Sequence, residues 1–330
     1  MVCLIDLPLE ILSSLPLYIR NIEDFTEAAS TCSILYYAFS SASPNCILRL
    51  AAASAPTFVQ PHPHFLIAAT ARQVSDWALG NAENTERLRR AFQGGVEALF
   101  ELCIEKAGLS LQDIRRLHLA RFSTINPLAD KIDKMAGAQW YETENFWDGG
   151  VSEAATLDTD PGRAAFQIII YGELFASSMQ AYLEPDKNLP KFDLDVRLDY
   201  IKYCIPDWVC KSYPGPYAGD VDLINYLVIK SRWNKLWRSV TREIGPDFEE
   251  KWKQKLWWDA VQVQGLEGMK VLGDGGVEDC RGTLARIRSQ VEKLDEGDEP
   301  AKHSIPRRNS ENHVSYAPDF SQEVYVYIQR

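Results

Sequence analysis

Apolar residues crowd the first fifty positions of the chain. In LPLEILSSLPLYI (7–19) only Glu10, Ser13 and Ser14 are polar, too few for a full polar face. Helical spacing places Leu7, Ile11, Leu12, Leu15 and Ile19 on one side and Ile5, Leu9 and Leu17 on another. The pattern predicts a helix over 8–18, opened by Pro8 in its first turn and kinked or ended early by Pro16. Asn21, with Asp24 three residues on, predicts an N-cap. The helix that follows carries Ile22, Phe25, Ala28, Ala29 and Cys32 on one stripe. A third short helix holds Leu35, Tyr36 and Phe39, and SSASPN (40–45) ends it. A helix that is apolar on two sides must be covered on two sides. Three short helices bury too little surface to do this alone. The unit is therefore expected to offer an apolar face either to the rest of the chain or to another protein.

Beyond residue 60 the period stays helical. FLIAATARQVSDWAL (65–79) is one predicted helix, stopped by Gly80. Residues 84–107 make a longer one, interrupted at Gly94 and Gly95. Ser110 and Asp113 form a capping box ahead of LQDIRRLHLARF, and Asn126-Pro127 opens a further helix ended by Gly137. Residues 139–162 have aromatics, acids and glycines without a period, and are expected to be a long loop. Asp160-Pro161 caps an apolar helix over 162–183, and Asp193 caps another to about Cys204, stopped by Pro206. SYPGPYAGD (212–220) is a turn-rich connector. Helices at 221–243, 246–261 and 277–294 complete the body. The polar run 295–313 is expected to be disordered, with a short strand-like alternation in EVYVYIQ (323–329). The fold class is all-α: an N-terminal three-helix module (1–50), an irregular multi-helix domain (51–295) and a flexible tail (296–330). No repeat of solenoid or propeller period occurs.

Composition narrows the function. The 330 residues are 46% hydrophobic and 25% charged, as in globular proteins, and the net charge is -11. That balance disfavours nucleic acid and anionic membrane surfaces as partners. Seven widely spaced cysteines without a C-x-x-C pair point to reduced thiols in the cytoplasm or nucleus, and to no structural zinc. Asp6 and Glu10 interrupt the apolar run, and no basic region precedes it. Neither a signal peptide nor a membrane span is therefore expected.

The residues Leu7-Pro8-x-Glu10-Ile11-Leu12, the helix with Asp24-Phe25, then Thr31-Cys32 and Tyr36-Tyr37, resemble an F-box over residues 5–45. Ser33, Ile34 and Leu35 stand where that family often carries a basic residue and a tryptophan. The tracts TARQVSDWALGN and DKIDKMAGAQWY also resemble a group of fungal F-box-type proteins of unassigned role. The resemblance implies a three-helix module that binds the Skp-type adaptor of Skp–cullin–F-box ubiquitin ligases, and through it a cullin, by apolar contacts. It implies adaptor-facing roles for Leu7, Pro8, Ile11, Leu12 and Leu15. It places Ile19, Phe25, Cys32 and Leu35 at positions that face the adaptor or pack the module. The body would then select an unknown protein substrate for ubiquitylation, with no catalysis, cofactor or metal of its own.

Two other readings compete. In one, the chain is an interaction or scaffold protein whose F-box-like helices are only core. In the other, Asp158 and Asp160 hold a divalent ion in a metal-dependent transferase, against which Asp160 is simply an N-cap ahead of Pro161. Trp140, Tyr141, Phe146 and Trp147 are candidates for a groove that takes a partner peptide, or for loop anchors. His62-Pro63-His64 has the ligand types of a metal pair but no acid or cysteine cluster nearby, and reads as a turn before a helix. Trp233, Trp237, Trp252, Trp257 and Trp258 with Arg232 and Arg238 read as packing aromatics with stacked cations. Arg307-Arg308-Asn309-Ser310 has the form of a basic-directed phosphorylation site at Ser310.

Overall fold

In the computed structural model, which describes residues 4–54, 59–131, 161–205, 240 and 244–299, every regular element is a helix. The all-α expectation holds. Residues 132–160, 206–239 and 300–330 lie outside the described residues. So do the predictions made for Trp140, Tyr141, Phe146, Trp147, Asp158, Asp160, the 212–220 connector, Ser310 and the terminal strand.

The opening helix is shorter than the periodicity predicts. A 3₁₀ turn at Leu4–Asp6 leads into α1 (Leu9–Leu12), and a second 3₁₀ turn follows at Leu15–Tyr18. Pro16 is the physical reason: it has no N–H, and its ring crowds the carbonyl four residues back. The Ser14 hydroxyl also donates to the Ile11 carbonyl at 2.7 Å, closing the turn locally. Next comes α2 (Ile22–Thr31), capped as expected, with the Asp24 amide donating to Asn21 Oδ1 at 2.7 Å. In α3 (Ser33–Phe39), Leu35, Ala38 and Phe39 turn inward, while Tyr36 points out. Phe25 and Phe39 stack at 5.1 Å across the α2–α3 seam.

The sequence pattern missed α4 (Pro44–Ala52). Ser43 caps it, accepting from the Cys46 amide, and Pro44 sits at its first turn, so the SSASPN tract that ends α3 also starts a helix. This helix crosses residue 50 and fastens the N-terminal helices to the body. Asn45 Nδ2 donates to the carbonyls of Ile104 (3.1 Å) and Ala107 (3.3 Å), and the Leu109 amide donates to the Pro44 carbonyl at 2.9 Å.

The body begins with α5 (His64–Leu79), followed by α6 (Ala82–Gln93) and α7 (Gly95–Lys106). The expected long helix over 84–107 is two helices, because Gly95 sits at φ 85°, which breaks the right-handed path. The capping box at Ser110 and Asp113 opens α8 (Leu111–Ala120) as expected. No new helix starts at Asn126. The backbone runs on through a π turn at Arg121–Ile125 and stays helical to residue 131. The wider turn accommodates Pro127, which would otherwise collide with the carbonyl of Ser123.

The centre of the molecule is α9 (Pro161–Leu183), whose middle is buried on all sides. It packs along α5, with α11 (Lys251–Gln262), α12 (Leu266–Lys270) and α14 (Arg281–Glu292) against it; α10 (Leu194–Cys204) lies on α6 and α7 and reaches α9 through the Tyr200 hydroxyl, and α13 (Gly276–Asp279) joins α12 and α14. Asp193 stands at the N-cap of α10, though its side chain makes no cap hydrogen bond. The start of α11 is later than the pattern suggests, since Gln254 Oε1 accepts from the Phe248 amide. Phe92, Tyr171, Phe175, Phe192 and Tyr200 meet ring to ring at 4.8–6.4 Å around α9. Trp257 is fully buried, and Lys253 Nζ lies 5.5 Å from the Trp252 ring.

One crossing sets how closely these layers approach. Gly172 on α9 lies against the backbone of Gly265, so a methyl group there would be 2.6 Å from Gly265 Cα and 3.1 Å from the Val263 carbonyl. The next residue, Glu173, holds both sides: Oε1 accepts from the Leu266 amide at 3.4 Å, and Oε2 accepts from Arg72 of α5 at 3.1 and 3.2 Å. Among the described residues no helix is long and apolar enough to cross a membrane.

Candidate functional site

Surface chemistry concentrates at the N-terminus. Twelve large hydrophobic side chains are exposed among the described residues, and eight of them fall between Leu4 and Tyr37: Leu4, Leu9, Ile11, Leu17, Tyr18, Ile34, Tyr36 and Tyr37. Scattered exposed apolar residues are ordinary, but such a density within one small unit marks an interaction surface or an uncovered liability. The unit's own architecture produces it. The breaks at Ser13 and Ser14 and at Pro16 turn Leu17 and Tyr18 away from the stripe that carries Leu12. Leu17 is 72% exposed and Leu12 is 1% exposed. Since α1 packs on α3, the exposed Leu9 and Ile11 lie on an element in direct contact with the one that carries Ile34, Tyr36 and Tyr37.

The residues named from the sequence separate into three groups. Pro8 and Ile11 are exposed, Ile11 to 48%. Leu7, Leu15, Ile19 and Cys32 are half-buried against the core. Leu12, Phe25 and Leu35 are buried in it, so an adaptor-facing role for Leu12 is corrected: its side chain is the plug between α1 and the helices behind it. Phe25 and Leu35 pack the module. Leu4, Leu9, Leu17, Tyr18, Ile34 and Tyr37 were missed as surface residues. Their signal was present for Leu9 and Leu17, which the helical wheel places on the second apolar side.

His62 and His64 flank the start of α5, and the His62 ring meets the edge of Phe100 at 5.2 Å. Among the described residues no group of three or more His, Cys, Asp or Glu side chains converges. The thiols of Cys103 and Cys204 are buried, and burial pushes both upward, Cys103 to about 12. They are therefore protonated and poorly nucleophilic at neutral pH. Burial likewise raises the Cys46 thiol, against a smaller opposing pull from Arg49, and its Sγ donates to the Pro16 carbonyl at 3.7 Å.

No protein-family model, curated protein or solved structure matches the chain.

Proposed function

We propose that the chain is a non-catalytic adaptor that recruits a partner protein through its N-terminal helices. In its specific form, residues 5–45 engage a Skp-type adaptor of a Skp–cullin–F-box ubiquitin ligase, and the helical body presents a client. One observation carries the reading: the run of exposed apolar side chains from Leu4 to Tyr37, on helices otherwise anchored by Leu12, Ile22, Phe25, Leu35 and Phe39. Full burial of one such leucine or isoleucine in an interface is favourable by about 1.5–3 kcal/mol. Several together match the apolar anchoring that the F-box resemblance implies.

The alternative, that these helices serve only as core, is favoured for Leu12, Phe25 and Leu35 and disfavoured for Leu9, Ile11 and Leu17. The test uses the exposed positions. The full-length chain and its Ile11→Asp/Leu17→Asp variant are each titrated with a purified Skp-type adaptor by isothermal calorimetry. Both proteins are first shown by circular dichroism to have the same helix content and melting temperature. Binding by the unmodified chain that the folded variant loses supports the proposal. Absence of binding by the unmodified chain refutes the ligase reading.

A further inference from the structure

Outside the N-terminal helices, α8 and the π turn that continues it hold three of the four remaining exposed large hydrophobic side chains among the described residues, Leu111, Leu119 and Phe122. With Arg115 they fall at i, i+4, i+8 and i+11, along one side of a helix. The inward side carries Ile114, Leu117, Ala120 and Ile125, which are buried. Leu119 is 60% and Phe122 64% exposed, and the π turn at Arg121–Ile125 begins between them.

The charge of this segment is opposite to that of the molecule. Residues 111–125 carry three arginines and one aspartate in a chain of net charge -11. Asp113 is engaged in its own capping box, accepting from the Ser110 amide (3.0 Å) and hydroxyl (2.7 Å). Arg116 reaches it only at 4.0 Å and has its side chain 76% exposed. Arg115 makes no ion pair among the described residues, and the Arg121 guanidinium rests 5.8 Å from the Phe122 ring.

We infer that this outer side of α8 docks a protein segment of acidic character with leucine-like or aromatic anchors. The apolar residues take the anchors, and Arg115 and Arg116 pair with flanking carboxylates. A membrane surface fits less well. A peptide touches α8 alone, whereas an anionic bilayer meets the whole acidic molecule, and three arginines do not offset that repulsion. This site is independent of the N-terminal surface. If the adaptor reading holds, it is where a client is held.

The test is selection of displayed random peptides on the immobilised full-length chain, followed by fluorescence anisotropy with the enriched peptides. Enriched sequences are expected to combine Asp or Glu with Leu, Phe or Trp, to bind less tightly as salt rises, and to lose about tenfold in affinity for Arg115→Glu/Arg116→Glu. A Lys-substituted version of the same peptide should recover binding to that charge-reversed variant. Leu119→Ala/Phe122→Ala should weaken binding without restoration by charge. Ile11→Asp/Leu17→Asp should leave peptide binding unchanged while abolishing adaptor binding, which separates failure of this inference from failure of the adaptor reading. The inference is overturned if no acidic consensus emerges or if the enriched peptides bind the charge-reversed variant equally. It is also overturned if the peptides fail while the arginines instead mediate binding to anionic vesicles or self-association of the chain.

Discussion

Replacing Gly172 by alanine should destabilise the protein, although alanine is the better helix former. In an exposed helix interior the change would stabilise by about 1 kcal/mol, because glycine loses more backbone freedom on folding. At position 172 the added methyl would lie 2.6 Å from Gly265 Cα, closer still to its amide nitrogen, and 3.1 Å from the Val263 carbonyl. All three are backbone atoms, so no side chain can swing aside. Relief requires α9 and the 263–265 segment to separate, and α9 is held from the other side by α5 through Arg72 and Glu173. Overpacking of this kind costs about 3 kcal/mol at its upper range, leaving a net loss of about 2 kcal/mol after the propensity gain. For a chain of 330 residues that lowers the melting temperature by about 3 °C. Gly282→Ala is the matched control: it lies in α14, and an added methyl there meets nothing within 4 Å. It should be neutral or stabilise by up to about 1 kcal/mol. Urea titrations of the two variants, followed by far-ultraviolet circular dichroism, read the comparison directly. Gly172→Ala as stable as Gly282→Ala would refute the close crossing of α9 and the 263–265 segment.

Further outcomes follow from the same geometry. Leu12→Ala should cost about 2–4 kcal/mol by leaving a cavity, whereas Leu17→Ala should change stability by less than about 0.5 kcal/mol; thermal melts of the pair check the division between plug and surface. Asn45→Ala removes both hydrogen bonds that tie α4 to the end of α7 and should cost about 1–2 kcal/mol, measured by urea unfolding. Burial raises the Asp113 carboxyl, but the side-chain and backbone hydrogen bonds from Ser110 outweigh it and hold the group below its ordinary range. A depressed carboxyl stabilises above its unfolded value and loses that contribution as pH falls through its folded value. Ser110→Ala should therefore cost about 1 kcal/mol at neutral pH and progressively less under acid, a trend that pH-dependent melts would show. Alkylation of the native chain, mapped by mass spectrometry, should reach half-buried Cys32 well before Cys103 and Cys204; equal rates would contradict the burial of the latter two.

Local signals in the chain were enough for the helical class, the caps at Asn21 and Ser110, and the span of α5, because each depends on neighbours within one or two turns. The apolar excess at 7–19 likewise announced a face in need of cover. Which residues form that face was a tertiary decision. Leu12 and Ile11 are adjacent and chemically alike, yet one is the core plug and the other stands in solvent, because neighbours on a helix point about 100° apart and α1 sets its Leu12 side inward where it packs on α3. Periodicity also assumes a constant 3.6-residue pitch. The glycines at 94 and 95 marked an interruption there, which the left-handed Gly95 turns into a full break between α6 and α7, but the period passed over the π turn that carries α8 past Pro127. The fastening of α4 to α7, the Gly172–Gly265 crossing and the outward set of Leu119 and Phe122 all join or orient elements far apart in the chain. No window of sequence contains both partners of such a contact. Only the packed structure settles which apolar side chains are left for something else to cover.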